Sequence, residues 1–138
     1  IDESVIHFGG SPALRAGRSM EDIGLEIKER IYEHLGEAVT VNVGIGPNRF
    51  LAKLAAGLHK PNGLDVINYR NLESVYAKLE LVDLPGINTR YRARLWQAGI
   101  KTPLEFLQAD MTHLWKRVFK SIGGYYWYLR LRGREIAA

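Results

Sequence analysis

The sequence predicts an α+β fold in which a mixed part is followed by an all-helical part. Strand patterns occur only in the first half; at residues 39–45, for example, apolar residues alternate with Thr, Asn and Gly. In the second half the apolar residues recur at helical spacing. The pattern changes near residues 69–71, which predicts one domain at residues 1–70 and a helical domain at residues 71–138. Helices are expected in the second domain at residues 71–80, 89–98, 103–108, 111–121 and 124–132.

The first part is predicted to alternate between strands and helices. Ser19 and Asp22 are typical of a capped helix start, apolar residues then follow at helical spacing, and Gly36 is expected to end the helix. A tight Gly-Pro-Asn connection follows residues 39–45, and Pro61-Asn62-Gly63 predicts a turn. The predicted strands lie at residues 5–8, 39–45 and 64–67, and the predicted helices between Ser19 and Gly36 and at residues 48–59.

The composition excludes several classes of protein. With 46% hydrophobic residues, the chain resembles a folded globular protein and not a disordered segment. It has no cysteine, which excludes a disulfide framework and a thiolate metal site and favours a reducing cytosol. No apolar run approaches the roughly 20 residues of a membrane helix. Because the chain starts with Ile1 and not with Met, we expect it to be a piece of a longer protein.

Positive charge is concentrated in the second half of the chain. Residues 1–70 hold eight Lys and Arg against nine Asp and Glu, whereas residues 90–134 hold ten against two. A basic half beside a near-neutral half favours a polyanionic partner on one side of the molecule. The alternative is a solvated basic face that has no partner.

Two adjacent carboxylates, Asp2 and Glu3, precede the apolar pair Val5-Ile6 at the edge of the first predicted strand. At a strand end both side chains can turn towards one divalent cation, and magnesium takes one or two carboxylates together with substrate phosphates. That arrangement is the one required for phosphoryl transfer with two metal ions. A pair of solvated acids is the alternative interpretation.

A glycine-rich turn connects the strand at residues 39–45 to a helix that carries Arg49 and Lys53. Helix starts of this kind present N–H groups to anions, but the Gly-Lys-Ser/Thr ending of a P-loop is missing. Lys60 precedes Pro61 in the exposed turn that follows. Its ammonium group can hold a phosphate as a point charge, although such a lysine is more often simply solvated.

Leu84-Pro85-Gly86-Ile87-Asn88 separates two helical stretches, and Gly99-Ile100-Lys101-Thr102 closes the second. This order is typical of a helix–hairpin–helix, whose backbone N–H groups hold a DNA phosphate without reading the base sequence. A helical hairpin that merely packs is the alternative, but the surrounding positive charge favours DNA binding. The predicted DNA-binding residues are Gly86, Ile87, Asn88, Arg90, Arg94 and Lys101.

Aromatic residues are frequent near the end of the chain. Trp115, Trp127 and three neighbouring tyrosines can stack on bases, but packing in the core of a small helical domain is the favoured interpretation. The four histidines show no zinc spacing.

Taken in order, the motifs are Ile-Asp-Glu-Ser at 1–4, Val-Gly-Ile-Gly-Pro-Asn-Arg-Phe-Leu-Ala-Lys at 43–53, Lys-Pro-Asn-Gly at 60–63, Leu-Pro-Gly-Ile at 84–87 and Ala-Gly-Ile-Lys-Thr at 98–102. This order resembles the Y family of DNA polymerases, in particular its bacterial DNA polymerase IV type. The resemblance covers nearly the whole chain, and the combination is specific although no single motif is.

The resemblance implies a partial palm, a short sheet with helices, at residues 1–70 and a thumb with a helix–hairpin–helix at residues 71–138. It implies that Asp2 and Glu3 are catalytic ligands of Mg²⁺. It further implies that Lys60 contacts the triphosphate of the incoming nucleotide. The thumb hairpin described above would grip the backbone of the duplex.

The sequence also departs from the family's pattern. The first catalytic aspartate, the fingers and the little finger are absent from this chain, so we expect the chain alone to bind DNA weakly and not to polymerise. Asn88 stands where a second hairpin glycine is usual, and because asparagine tolerates the left-handed conformation, the turn can be kept. Tyr91 replaces a threonine that is common early in the next helix.

The function implied by the resemblance is lesion-bypass DNA synthesis, with primer–template DNA and deoxynucleoside triphosphates as partners, in the bacterial cytoplasm and without a membrane. A sliding clamp is a further partner that the sequence neither requires nor excludes. Two alternatives remain open: a catalytically silent, polymerase-like adaptor that binds DNA in the damage response, and a plain helix–hairpin–helix module. Asp2 and Glu3 argue against the first, and Lys60 argues against the second.

Overall fold

The computed structural model describes residues 17–36 and 40–135. Its first part contains a two-stranded parallel sheet, in which β1 (Val43–Ile45) pairs with β2 (Leu64–Val66). Two helices accompany the sheet, α1 (Met20–Leu35) before β1 and α2 (Arg49–Ala56) in the crossover between the strands. The predicted strand at residues 5–8 lies outside the described residues.

The helix α1 confirms the prediction of a helix between Ser19 and Gly36. The Ser19 hydroxyl accepts a hydrogen bond from the Asp22 N–H at 3.0 Å, which satisfies one of the free donors of the first turn. At the other end, Gly36 has a φ of 85° and donates its N–H to the Tyr32 carbonyl at 2.8 Å. A residue with a side chain rarely adopts that φ, so glycine is well suited to end the helix.

The two helices cover opposite faces of the sheet. Gly24 of α1 lies against the side chains of Leu64 and Ile45. Gly44 points to the other face, because neighbouring strand residues alternate, and there it lies directly on α2. A Cβ at Gly44 would come within 2.1 Å of the Ala56 nitrogen, so this close approach of strand and helix requires glycine.

Three elements of the first part are shorter than predicted, although β2 lacks only the last residue of the strand expected at residues 64–67. Of the strand expected at residues 39–45, only Val43–Ile45 pairs, and residue 39 lies outside the described part. The side chain of Asn42 accepts the Gly63 N–H at 2.9 Å and so takes the position that a paired backbone carbonyl would have. The helix expected at residues 48–59 ends at Ala56 and continues as turns.

The second part is helical throughout its described length, as predicted. A 3-10 turn at Leu81–Asp83 precedes the hairpin, and a π-helical turn at Leu114–Val118 follows α6. The α-helices are α3 (Leu72–Ala77), α4 (Thr89–Gln97), α5 (Pro103–Gln108), α6 (Met111–His113) and α7 (Gly123–Leu131).

The helix predicted at residues 111–121 is therefore interrupted. The Phe119 N–H donates to the Leu114 carbonyl, five residues back, at 2.9 Å, which defines the π-helical turn. The first turn of α7 packs against this region so closely that a Cβ at Gly124 would lie 2.4 Å from the Leu114 oxygen. The close contact explains why glycine occupies position 124.

One hydrophobic core extends from the first part into the second. Phe50 of α2 meets Trp127 of α7 edge to face, with ring centroids 5.5 Å apart, and Trp127 also contacts Phe106 at 5.6 Å. Trp127 is therefore a core residue, as the favoured interpretation of the aromatic cluster predicts, whereas Tyr126 is exposed. Within the described residues, no helix is both long and apolar enough to cross a bilayer.

Candidate nucleic-acid interface

The hairpin that precedes α4 is anchored to the hydrophobic core by two apolar side chains. Leu84 and Ile87 are buried, and the Ile87 N–H donates to the Leu84 carbonyl at 3.0 Å. Between them Gly86 is exposed and has a φ of 93°. A Cβ there would lie 3.3 Å from the Trp127 ring, so both the backbone conformation and the neighbouring ring favour glycine.

Asn88 does not use the left-handed conformation that asparagine tolerates. Its φ is −93° and its ψ is −178°, and it is the N-cap of α4. Its side-chain oxygen accepts the Tyr91 N–H at 2.9 Å. The physical reason is the helix start at Thr89: the preceding position needs an extended backbone and a short polar side chain, and asparagine provides both. Tyr91, at the position of the usual threonine, packs on Phe119 with centroids 5.6 Å apart.

The start of α4 presents donors that the hairpin leaves available. Thr89 and Arg90 are the first two residues of the helix, and within the described part of the chain no acceptor bonds their N–H groups. Free N–H groups at a helix N-terminus, together with the helix dipole, attract an anion. The N–H of Ile87, in contrast, is already bonded within the hairpin.

The exposed cations of α4, together with Lys101 just after it, form two groups. Arg94 lies over the Tyr91 ring at 5.7 Å, on the same face of the helix as Arg90. Arg92 and Lys101 both lie over the ring of Trp96, at 5.5 and 5.7 Å. Trp96 is 48% exposed. Lys101 therefore joins Arg92 and Trp96, and not the Arg90 and Arg94 pair.

No carboxylate in the described ranges 17–36 and 40–135 forms an ion pair with the cations of α4 or with Lys101. The ion pairs that are seen there lie in the first part, such as Arg18 with Glu26 and His59 with Asp65. The positive charge of the helical part is thus not neutralised internally, and its field extends into the solvent.

Lys60 is exposed in the turn between α2 and β2 and lines a depression of about 370 Å³. Asp83 and Pro85, from the start of the hairpin region, line the same depression. A second depression of about 440 Å³ adjoins it and shares Lys53 and Pro85 with the first. We call the two together the basic trough; its cations are Arg49, Lys53, Lys60, Arg130 and Arg134.

The trough also contains acidic and aromatic groups. Glu135 accepts the Arg49 backbone N–H at 3.3 Å, and Gly86 of the hairpin lines the trough wall. The Arg130 guanidinium lies 4.5 Å from the centroid of Trp127, and burial lowers the pKa of Arg130 below its usual value. A partly desolvated cation over an aromatic face interacts strongly with an added phosphate.

The predicted metal ligands Asp2 and Glu3 lie outside the described residues. Among the residues that the structure does describe, no group of three or more His, Asp or Glu side chains is arranged to hold a metal ion. The structure therefore brings together Lys60 and the hairpin, and it leaves the position of the two carboxylates relative to them as a prediction.

Sequence reasoning missed three features of this surface. It assigned no role to Trp96, although a tryptophan four residues after Arg92 on a basic helix is a signal for an exposed aromatic group. It treated Arg49 and Lys53 only as part of a turn motif. It also gave no role to Asn48, which is buried at 5% exposure between α2 and α7.

The comparisons with known proteins agree with this arrangement. Residues 1–57 match the model of the impB/mucB/samB family. DNA polymerase IV of Saccharolobus solfataricus is 35% identical over 114 residues, which are 83% of this chain and 31% of that protein. DNA polymerase IV of Alkalilimnicola ehrlichii is 33% identical over 135 residues, which are 98% of this chain and 36% of that protein. The chain spans about a third of the length of these curated relatives.

Solved structures show the same likeness. The post-insertion binary complex of Dbh DNA polymerase superposes with a TM-score of 0.67 at 29% identity, over 91% of this chain and 35% of that one. A Y-family chimera of Dbh and Dpo4 gives 0.64 at 26% identity, over 91% and 38%. The fold and these matches make the chain similar to a segment of the Y-family DNA polymerases.

Proposed function

We propose that this chain is the palm and thumb segment of a translesion DNA-directed DNA polymerase, with residues 1–70 in the palm and residues 71–138 in the thumb. The observation that carries the proposal is the basic trough. One of its ends is lined by Lys60, and the other is lined by the hairpin residue Gly86 and by Arg130 and Arg134. A triphosphate and a DNA strand both need cations, and a polymerase must hold them side by side.

Lys60 is proposed to hold the triphosphate of the incoming nucleotide. Its ammonium group neutralises charge on the phosphates, which is an electrostatic and positioning role. Lys53 lines both depressions and lies between Lys60 and the hairpin end of the trough. Lys53 thus places a positive charge between the nucleotide end and the DNA end.

The hairpin is proposed to hold the DNA backbone. The N–H groups of Thr89 and Arg90 bind a phosphate at the start of α4, and the side chains of Arg90 and Arg94 add charge around it. Lys101 adds charge beside Arg92 and Trp96, for a neighbouring part of the DNA backbone. Gly86 and Asn88 shape the turn, and buried Ile87 anchors it. Such contacts are independent of base sequence and weaken steeply as the salt concentration rises.

Asp2 and Glu3 are proposed as ligands of the catalytic metal. Two adjacent carboxylates form a donor set of hard oxygens that suits Mg²⁺. When bound, this ion neutralises charge on the reacting phosphates. The proposed partners are primer–template DNA and deoxynucleoside triphosphates, and the proposed location is the cytoplasm, on DNA. The 138-residue chain alone is expected to bind DNA weakly and not to extend a primer.

Primer extension by the full-length protein tests the proposal. The protein is given magnesium, nucleotides and either an undamaged or an abasic template, beside an Asp2→Ala, Glu3→Ala double variant. We expect extension on both templates by the unchanged protein and none by the variant. A folded, DNA-binding protein that extends neither template would instead be a catalytically silent adaptor.

A further inference from the structure

We propose that Asn48 is a positioning residue that fixes the DNA-holding hairpin relative to the Lys60 end of the basic trough. This inference rests on the proposed function for the roles of those two ends. It rests on the structure for the connection between them, which runs from α2 through α7 to the hairpin.

Asn48 bonds both helices with one side chain. Its oxygen accepts the Leu51 N–H at 2.8 Å and so caps the start of α2. Its nitrogen donates to the carbonyls of Arg130 and Arg134, each at 2.9 Å. Those carbonyls belong to the last turn of α7 and the residues that follow it. The N-terminus of α2 is thus bonded to the C-terminus of α7 across more than 80 residues of sequence.

The end of α7 is held from the same side by further contacts. Gly133 has a φ of 88°, and a Cβ there would lie 2.9 Å from the ring of Pro47 and 3.2 Å from the Tyr69 ring. The Tyr76 hydroxyl donates to the Leu131 carbonyl at 2.8 Å. The carbonyl groups that a helix end leaves unpaired are therefore bonded largely by groups outside the helix.

Trp127 carries the position of α7 to the hairpin. It lies one turn before the bonded end of the helix and contacts Phe50 of α2. Its ring also lies beside Gly86, where a Cβ would approach it to 3.3 Å. Because packed side chains transmit displacement, a shift of α7 relative to α2 moves Trp127 and, with it, the hairpin at Gly86.

The two functional groups of the Asn48 side chain allow its positioning role to be tested apart from its role as a helix cap. Ser, Thr and Asp cap a helix as asparagine does. Unlike these residues, asparagine also has an NH₂ group, which here donates to the carbonyl of Arg130 in α7 and to that of Arg134 just after α7. Asn48→Asp retains the acceptor for Leu51 but places a carboxylate against two carbonyl oxygens. That variant therefore keeps the cap and removes the connection between the helices.

The distance between α1 and α4 tests the connection. The 138 residues contain no cysteine, so spin labels can be attached at two introduced cysteines, Glu29→Cys and Gln97→Cys. Both positions are exposed. Any cysteine elsewhere in the full-length protein is replaced first. We expect one narrow distance distribution in the unchanged background and a shifted or broadened one with Asn48→Asp. Ser19→Ala, which removes the cap of α1, is the matched control and should leave the distribution narrow.

The second measurement on the same variants is of DNA affinity and of the KM for the nucleotide. With Asn48→Asp we expect the Kd for primer–template DNA to rise on the order of tenfold, from the loss of two hydrogen bonds. The KM for the nucleotide should stay within a factor of about two, because Lys60 is on the α2 side of the connection. If Asn48→Asp does not fold, Asn48→Ser carries the same test, since its hydroxyl can cap α2 but cannot reach both carbonyls.

The outcomes are distinguishable. An unchanged, narrow distance distribution in a folded Asn48→Asp or Asn48→Ser protein would overturn the inference, whatever the activity. A shifted distribution with unchanged DNA affinity would also overturn it, because the connection would then not position the hairpin for DNA. A shifted distribution in a protein that binds no DNA and extends no primer, even without the substitution, would refute the proposed function and leave the connection standing.

Discussion

The ring of Phe50 meets the ring of Trp127 edge to face, with centroids 5.5 Å apart and planes at 87°. Phe50 belongs to α2 and Trp127 to α7, so this contact joins the mixed part of the molecule to the helical part. Edge-to-face pairs contribute about 0.5–1.5 kcal/mol beyond their burial. The pair is thus one of the interactions that fix the shape of the basic trough.

A double-mutant cycle with Phe50→Leu and Trp127→Leu measures this contact. We expect a coupling free energy of about 0.5–1.5 kcal/mol in urea unfolding. The matched control is the cycle of Phe50→Leu with Trp96→Leu, because Trp96 is exposed on α4 and does not pair with Phe50. Equal coupling in the two cycles would show that the edge-to-face contact contributes nothing specific.

Gly86→Ala tests the hairpin, and Gly99→Ala is its matched control. Both glycines have a positive φ, 93° and 85°, so alanine at either position costs about 1–2 kcal/mol of stability. A Cβ at Gly99 meets nothing within 4 Å, whereas at Gly86 it meets Trp127.

The two glycine variants should therefore differ in function. We expect Gly86→Ala to weaken DNA binding in a fluorescence titration, while Gly99→Ala lowers stability and leaves the affinity unchanged. The same loss of affinity in both variants, at equal folded fraction, would remove Gly86 from the proposed DNA contact.

Tyr76→Phe tests the buried hydroxyl that bonds α7. Loss of the hydrogen bond to Leu131 leaves a buried carbonyl unpaired, and we expect the free energy of unfolding to fall by about 1–3 kcal/mol at neutral pH. Burial raises the pKa of Tyr76 above its ordinary value of 10.0, with the charge of Arg132 acting weakly in the opposite direction.

A group whose pKa is raised in the folded state stabilises the fold below its unfolded pKa and loses that contribution at higher pH. The unchanged protein should therefore lose stability above about pH 10 more steeply than Tyr76→Phe does. Unfolding curves from pH 7 to 11 check this, with Tyr69→Phe as the control because Tyr69 is 68% exposed. Parallel pH profiles for all three proteins would contradict the role given to Tyr76.

The arginines of α4 are expected to determine the salt dependence of DNA binding. Replacing Arg90 and Arg94 by alanine should weaken binding and reduce the slope of log K against log salt by about 1–2, since each phosphate contact contributes about 0.9. Arg30→Ala is the control, because Arg30 is an exposed cation on α1 with Glu26 as its partner. An unchanged slope in the double variant would place the DNA elsewhere.

The sequence predicted the elements whose signals are local. Ser19 and Gly36 define the ends of α1 because a cap and a positive-φ glycine act within one turn of the helix. The hairpin at Gly86 was predicted for the same reason. The π-helical turn at Leu114–Val118 was not, because it depends on the close packing of Gly124, a contact between two elements.

The site was predicted less completely than the fold. Lys60 and the hairpin were recognised separately by their motifs, but that Lys53 and Pro85 join them in one trough depends on how α2 packs on the hairpin. Asn48 illustrates the limit best. Its capping of α2 involves a residue only three positions away, whereas its bonds to the carbonyls of Arg130 and Arg134 join residues more than 80 positions apart.

The central claim is that Lys60, at one end of the trough, holds the nucleotide, whereas the hairpin at the other end and the start of α4 that follows it hold DNA. Steady-state primer extension by full-length Lys60→Ala and Arg90→Ala, Arg94→Ala proteins tests it most directly. We expect Lys60→Ala to raise the KM for the nucleotide and to leave the Kd for DNA unchanged, whereas the double variant should raise the Kd for DNA and leave the KM unchanged. Lys60→Ala with an unchanged KM for the nucleotide, or with the same loss of DNA affinity as the double variant, would contradict it.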